Sequence, residues 1–213
     1  VTSSVAADDA VPPRIAKLPR HKAYPVPWFV EWIDGKPDFR VADAHKQDDA
    51  TRFGLCWVCG ERTGRNVAFV IGPMCAVNRV SAEPPSHTDC AIYSATHCPF
   101  LANPTMKRRE RGLPDNYVDP AGVMLLRNPG VALVWVTRNF STFRAPGGYL
   151  FDIGEPTQVS WYAQGRSATR AEVMASIDTG LPALQEAADA EGRKARQELD
   201  DHLAAAMRLM PAA

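Results

Sequence analysis

Four side chains in this sequence have the types and the spacing to hold one metal ion. Cys56 and Cys59 frame the run CWVCG, and His87 and Cys90 frame the run HTDC, each pair with two residues between its members. A tight turn across the first pair can aim two thiolates at one ion, and Gly60 directly after it lets the backbone fold back underneath. Residues three apart share a face of a helix, so His87 and Cys90 reach the same ion if a helix opens there. Pro84-Pro85-Ser86 supplies such a start, with Ser86 as the expected N-cap. Three thiolates and one imidazole make up the donor set of structural zinc. All four coordination positions are then filled by protein, so the ion holds the chain together and does not activate water.

The other cysteines are weighed against this set. All five, Cys56, Cys59, Cys75, Cys90 and Cys98, fall within residues 56–98. An odd number, in a chain that shows no export signal, favours metal ligands or reduced thiols over a disulfide framework. Cys75, in Gly72-Pro73-Met74-Cys75, is the main rival and could replace His87. His97 and Cys98 lie two helical turns past Cys90, about 10–12 Å along the axis, whereas ligands of one tetrahedral zinc are about 4 Å apart. The bland alternative is a set of buried, metal-free cysteines acting as small hydrophobes.

The order of features carries a resemblance. A knuckle is followed by Thr63-Gly64 and the β-rich NVAFVI, which predict a short hairpin, and then by a helix whose first turn bears the second ligand pair. Residues 55–101 resemble a treble-clef zinc finger in this order, with a longer gap of 27 residues between Cys59 and His87. Some treble-clef nucleases place a catalytic histidine between knuckle and helix, but residues 60–82 contain none. The runs CWVCG, VIGPMCAVNR, EPPSHTDCA and CPFL also resemble a group of uncharacterised proteins of bacteria and phages, with a looser likeness reaching GRSATRAEV. That resemblance implies a shared fold and supplies no catalytic residue.

Around the ligands, the pattern predicts an α+β chain. Residues 1–13 read as an arm without an apolar face. Residues 14–54 read as a hairpin turning at Asp34-Gly35, with Trp28, Val30 and Trp32 on one face, followed by a short helix ending at Gly54. Residues 102–122 form an irregular connection containing Lys107, Arg108, Arg109 and Arg111. Residues 123–213 read as an antiparallel sheet plus two helices: VMLLR and VALVWVT around Asn128-Pro129-Gly130 make a hairpin, and GYLFDI and TQVSWY add strands. Thr169 with Glu172 is a capping-box signature. Gly180 is expected to end that helix and Pro182 to open the next, whose stripe is Leu184, Ala188, Ala195, Leu199, Leu203 and Met207.

Composition bounds the function. The 213 residues carry 24 Lys plus Arg against 24 Asp plus Glu and are 46% apolar, enough for a sizeable core and without a global charge that would draw the chain to nucleic acid or an anionic membrane. The longest apolar run, Val131 to Val136, is far short of the roughly 20 residues of a membrane span. The expectation is therefore a cytoplasmic protein with no membrane partner. Its function is expected to be zinc-stabilised binding of a macromolecule, protein or nucleic acid, through Lys107, Arg108, Arg109 and Arg111. The alternative is an enzyme. It would use an open metal position with Glu83 or Asp89 as base, or Cys75 as nucleophile with His97 as base.

Overall fold

The structure, a computed structural model, describes residues 11–106, 111–113, 117, 119, 121–122 and 128–212. The chain opens with helix α1 (Pro13–Ala16). Two small hairpins follow, β1 (Arg20–His21) with β2 (Tyr24–Pro25) and β3 (Val30–Ile33) with β4 (Lys36–Ala42), then helix α2 (Ala44–Phe53). The middle holds β5 (Val67–Ile71), α3 (Pro73–Asn78), β6 (Val80–Ser81), α4 (Thr88–His97) and α5 (Pro99–Ala102). The last part holds β7 (Ala132–Thr137), β8 (Ser141–Ala145), β9 (Gly148–Asp152), β10 (Pro156–Ala163), β11 (Arg166–Ser167), α6 (Arg170–Glu191) and α7 (Arg193–Met207). This is a mixed α+β fold with antiparallel sheets and C-terminal helices. The arm expected over 1–13 lies almost wholly outside the described residues, as does the strand expected at 123–127.

The centre of the molecule is a four-stranded sheet in the order β11-β10-β7-β5. Every residue of β7 is buried, because this strand is covered on both faces. Leu133 and Trp135 join Phe69, Phe151, Ile153, Val173 and Ile177 on one side, under α3, α6 and α7. On the other side Ala132, Val134 and Val136 meet Ala68 and the small side chains Ala91 and Ala95 of α4. Alanines at the contact let α4 lie close on the sheet, and the N-terminus of α4 carries the second pair, His87 and Cys90. A second sheet, β6-β9-β8, contributes Phe151 to the same core.

Several expectations are corrected here. Val67–Ile71 is a strand, but it pairs antiparallel with the distant β7, from Val67 opposite Thr137 to Ile71 opposite Leu133, and not within a local hairpin. What is local are two isolated bridges, Leu55 with Arg62 and Ala68 with Ser86. In the β3–β4 hairpin the turn falls at Asp34-Gly35 as expected, with φ of 48° and 74°. Trp32, however, is 41% exposed while Val30 is fully buried. A bulge between Val30 and Glu31 breaks the alternation that would have placed them on one face. The strand β8 had not been anticipated, since STFRA carries little apolar signal and all but its last residue are exposed.

The C-terminal helices divide at a different place. The Thr169–Glu172 capping box opens α6 as expected, but the helix runs through Gly180 and Pro182 to Glu191, and the break comes at Gly192, with φ of 110°. Val173, Ile177, Leu181, Leu184 and Ala188 form one stripe against the core across the expected break. Pro182 is exposed, so the carbonyl deprived of its amide partner can be solvated. The apolar stripe is thus split, with Leu184 and Ala188 on α6 and Ala195, Leu199, Leu203 and Met207 on α7.

Candidate metal centre

Cys56, Cys59, His87 and Cys90 come together. One ligand atom from each lies within 4.8 Å of all the others. The Cys59 Sγ to His87 Nδ1 separation is 3.4 Å and that from Cys90 Sγ is 4.0 Å. A tetrahedral zinc with bonds of about 2.0 Å to nitrogen and 2.3 Å to sulfur has ligand edges of about 3.5–3.8 Å. The four donors therefore already stand near the corners such an ion needs.

The knuckle is built by its own backbone. The Leu55–Arg62 bridge closes it, the Cys56 amide donates to Glu61 O at 2.8 Å, and the Gly60 amide donates to Cys56 O at 2.8 Å. Gly60 sits at φ 76°, and a Cβ there would lie 2.7 Å from Trp28 Cγ, so the turn admits only glycine. The Trp28 amide in turn donates to Val58 O at 2.7 Å, tying the N-terminal hairpins to the knuckle. Two backbone amides, Cys59 at 3.5 Å and His87 at 3.4 Å, point at Cys56 Sγ.

The second pair departs in one detail from the expected arrangement. His87, not Ser86, occupies the N-cap position of α4, and its side chain makes no cap bond. Ser86 is instead spent on the bridge to Ala68, each amide donating to the other's carbonyl at 2.8 Å. His87 is left free to turn Nδ1 into the cluster while its Nε2 faces Arg62 O at 2.9 Å. A protonated Nε2 donating to that carbonyl fixes the tautomer that leaves Nδ1 a lone pair for a metal.

The electrostatics of the cluster call for a cation. Hydrogen bonds from the Cys59 and Cys90 thiols, and then from the Cys59 and His87 amides, hold the Cys56 thiol far below its ordinary pKa. The contact with Cys56 pushes Cys59 up to about 11 and pushes Cys90 strongly upward too, with burial adding in the same direction. Ionisation of one thiol in this trio opposes ionisation of the other two. A divalent ion lifts that limit, because coordinated thiols are deprotonated.

A layer that sequence reasoning missed lies over the site. Ile15 of α1 is 1% exposed and packs with Cys56, Val58 and Cys90. Arg14 reaches Glu61 at 3.2 Å on the knuckle side and Asp89 at 3.1 Å on the helix side, and Lys17 reaches Glu61 at 3.1 Å. These pairs are partly exposed and contribute little individually, but they span both halves of the site. The signal was Pro12-Pro13 before Ile15 and Leu18, a helix start with an apolar anchor.

The remaining candidates lie elsewhere. Cys75 is on α3 against the main core, where burial raises its pKa and the Glu83 charge adds to the effect. Cys98 caps the far end of α4, and His97 stacks on Tyr93 with ring centroids 4.2 Å apart. Asp89 is engaged by Arg14 and by the Cys90 amide at 2.9 Å. Lys107, Arg108 and Arg109 lie outside the described residues. Arg111 is described, and its carbonyl accepts from Arg40 Nη1 at 3.0 Å, which docks the end of the basic string on β4. No helix among the described residues is long and apolar enough to cross a membrane. Comparison with protein-family models, with curated proteins and with solved structures gives no match for this chain.

Proposed function

We infer that this is a zinc protein in which Cys56, Cys59, His87 and Cys90 hold one structural ion, and that it binds a macromolecule through the surface around that ion. The convergence of four soft and borderline donors within 4.8 Å, with His87 oriented by Arg62 O, carries the reading. A knuckle, then strand β5, then α4 bearing the second pair supports a treble-clef-like segment. The structural role of the ion rests on the donor count, since four protein ligands leave no position for a substrate. The partner, protein or nucleic acid, would meet the metal segment together with the basic string from Lys107 to Arg111.

The test is metal content with X-ray absorption on purified protein. One zinc per chain with three sulfur neighbours and one nitrogen is expected. Cys59→Ser should lose the ion and unfold the segment around it, since structural zinc can supply on the order of 10 kcal/mol of folding free energy. The double change Cys75→Ser and Cys98→Ser should keep the ion. A metal-free native protein, or an oxygen neighbour from water at the zinc, would defeat the reading.

A further inference from the structure

We propose that the cleft beside the metal centre binds the phosphates of a nucleic acid, with Arg62 and Arg65 as the contacting residues. The inference deepens the macromolecule-binding reading and rests on it. The cleft is a shallow, solvent-open depression of about 630 Å³, and Arg14, Arg62, Arg65, Asn66, His87 and Asp89 are among the residues that line it. Its only carboxylate is Asp89, already bound by Arg14 at 3.1 Å. Arg62 and Arg65 are exposed and form no ion pair or side-chain hydrogen bond with any described residue. Arg138, from the end of β7, adds a further guanidinium alongside, held by Asn66 Oδ1 at 2.8 Å. In a chain of zero net charge this is a local positive surface: Arg14 is neutralised by Asp89 and Glu61, and Arg62 and Arg65 are left without a counter-ion among the described residues.

The chemistry of the lining selects the ligand. Three of the nine lining residues are arginine, and none is a large apolar side chain. Protein interfaces depend on buried aromatic or aliphatic anchors, which this cleft lacks, whereas guanidinium forks match phosphate oxygens in pairs. Gly64 lies between the two arginines, and a Cβ there would meet nothing within 4 Å, so a phosphate backbone can approach the main chain. The cleft is also tied to the metal. The Arg62 carbonyl is the acceptor for His87 Nε2, and the Leu55–Arg62 bridge closes the knuckle, so the ion that holds His87 and Cys56 also holds Arg62 in place.

The experiment uses the full zinc-loaded chain and fluorescence anisotropy with a labelled 20-nucleotide single strand, its duplex, and a polyglutamate of similar charge, between 50 and 200 mM salt. Binding to either nucleic acid is expected. Arg62→Gln with Arg65→Gln should weaken it about tenfold or more and reduce the log–log salt slope by about 1.5, two phosphate contacts at roughly 0.7–0.9 each, with zinc content unchanged. Wild-type affinity in that variant would overturn the assignment. If binding is instead lost on changing Lys107, Arg108 and Arg109 to Ala, the general reading survives and the cleft does not. Tighter binding of polyglutamate than of nucleic acid would likewise overturn the phosphate assignment in favour of an acidic protein partner. Binding of none of the probes would overturn the phosphate assignment, while the metal-content and X-ray absorption measurement decides the underlying reading separately.

Discussion

The imidazole of His87 is held from two sides, by the cysteine sulfurs at Nδ1 and by Arg62 O at Nε2, so its place in the cluster does not depend on the ion alone. Gly60 has the same importance in the backbone. At φ 76°, with Trp28 Cγ 2.7 Å from where a Cβ would stand, Gly60→Ala combines left-handed strain with a clash. We expect that substitution to cost about 1–3 kcal/mol and to release zinc at lower chelator concentration, measured by thermal unfolding and competitive titration. An unaltered melting curve would mean that the indole moves aside at no cost. The four clustered donors were readable from the sequence because a tetrahedral ion would impose short spacings within each pair. Arg14 and Ile15 were not, since nothing in their spacing refers to a site formed by residues far along the chain.

At the scale of elements, α4 links the core to the site. Ala91 and Ala95 are buried against Ala68, Ala132 and Val134, and the N-terminus of the same helix carries His87 and Cys90. Ala91→Leu should overpack this contact by about 1–3 kcal/mol and, by lifting α4 from the sheet, weaken zinc binding even though no ligand is changed. Stability and metal affinity measured on the same variant check this, and a loss of stability with unchanged affinity would uncouple helix from site. The start of α6 offers a pH test. Arg166, and then the Thr169 amide, hold the Glu172 carboxylate down at about 2. A depressed carboxylate contributes stability that is complete above the ordinary carboxylate range, about 4.3, and is lost as the pH falls towards 2. Glu172→Gln should therefore flatten the acid limb of the stability curve in that window. Thr169→Ala should cost about 1 kcal/mol at neutral pH.

For the molecule as a whole, the metal centre and the main core are separate packing units joined through α4. Cys56, Val58, Cys90 and Ile15 form one cluster, while Trp135, Phe69, Leu133 and Phe151 belong to another. Chelation of the ion should therefore remove hydrogen-exchange protection from residues 55–62 and the first turn of α4 while β7 and β10 stay protected. Simultaneous loss everywhere would show that the two units fold as one. What the sequence alone determined was set by local rules. These include the two Cys/His pairs of the cluster, the Asp34-Gly35 turn, the short helix closed by Gly54 and the capping box at Thr169, each specified by side chains a few residues apart. The tertiary structure decided the rest. Val67–Ile71 has only the single Ala68–Ser86 bridge in its own neighbourhood and finds its partner strand β7 only when the sheet assembles. α6 passes Gly180 and Pro182 because its apolar stripe gains more from the core than the local break signal costs. The docking of α1 over the cysteines, and the arginine cleft beside them, arise because folding brings the N-terminal segment, the knuckle and α4 to one place, a proximity that no spacing along the chain encodes.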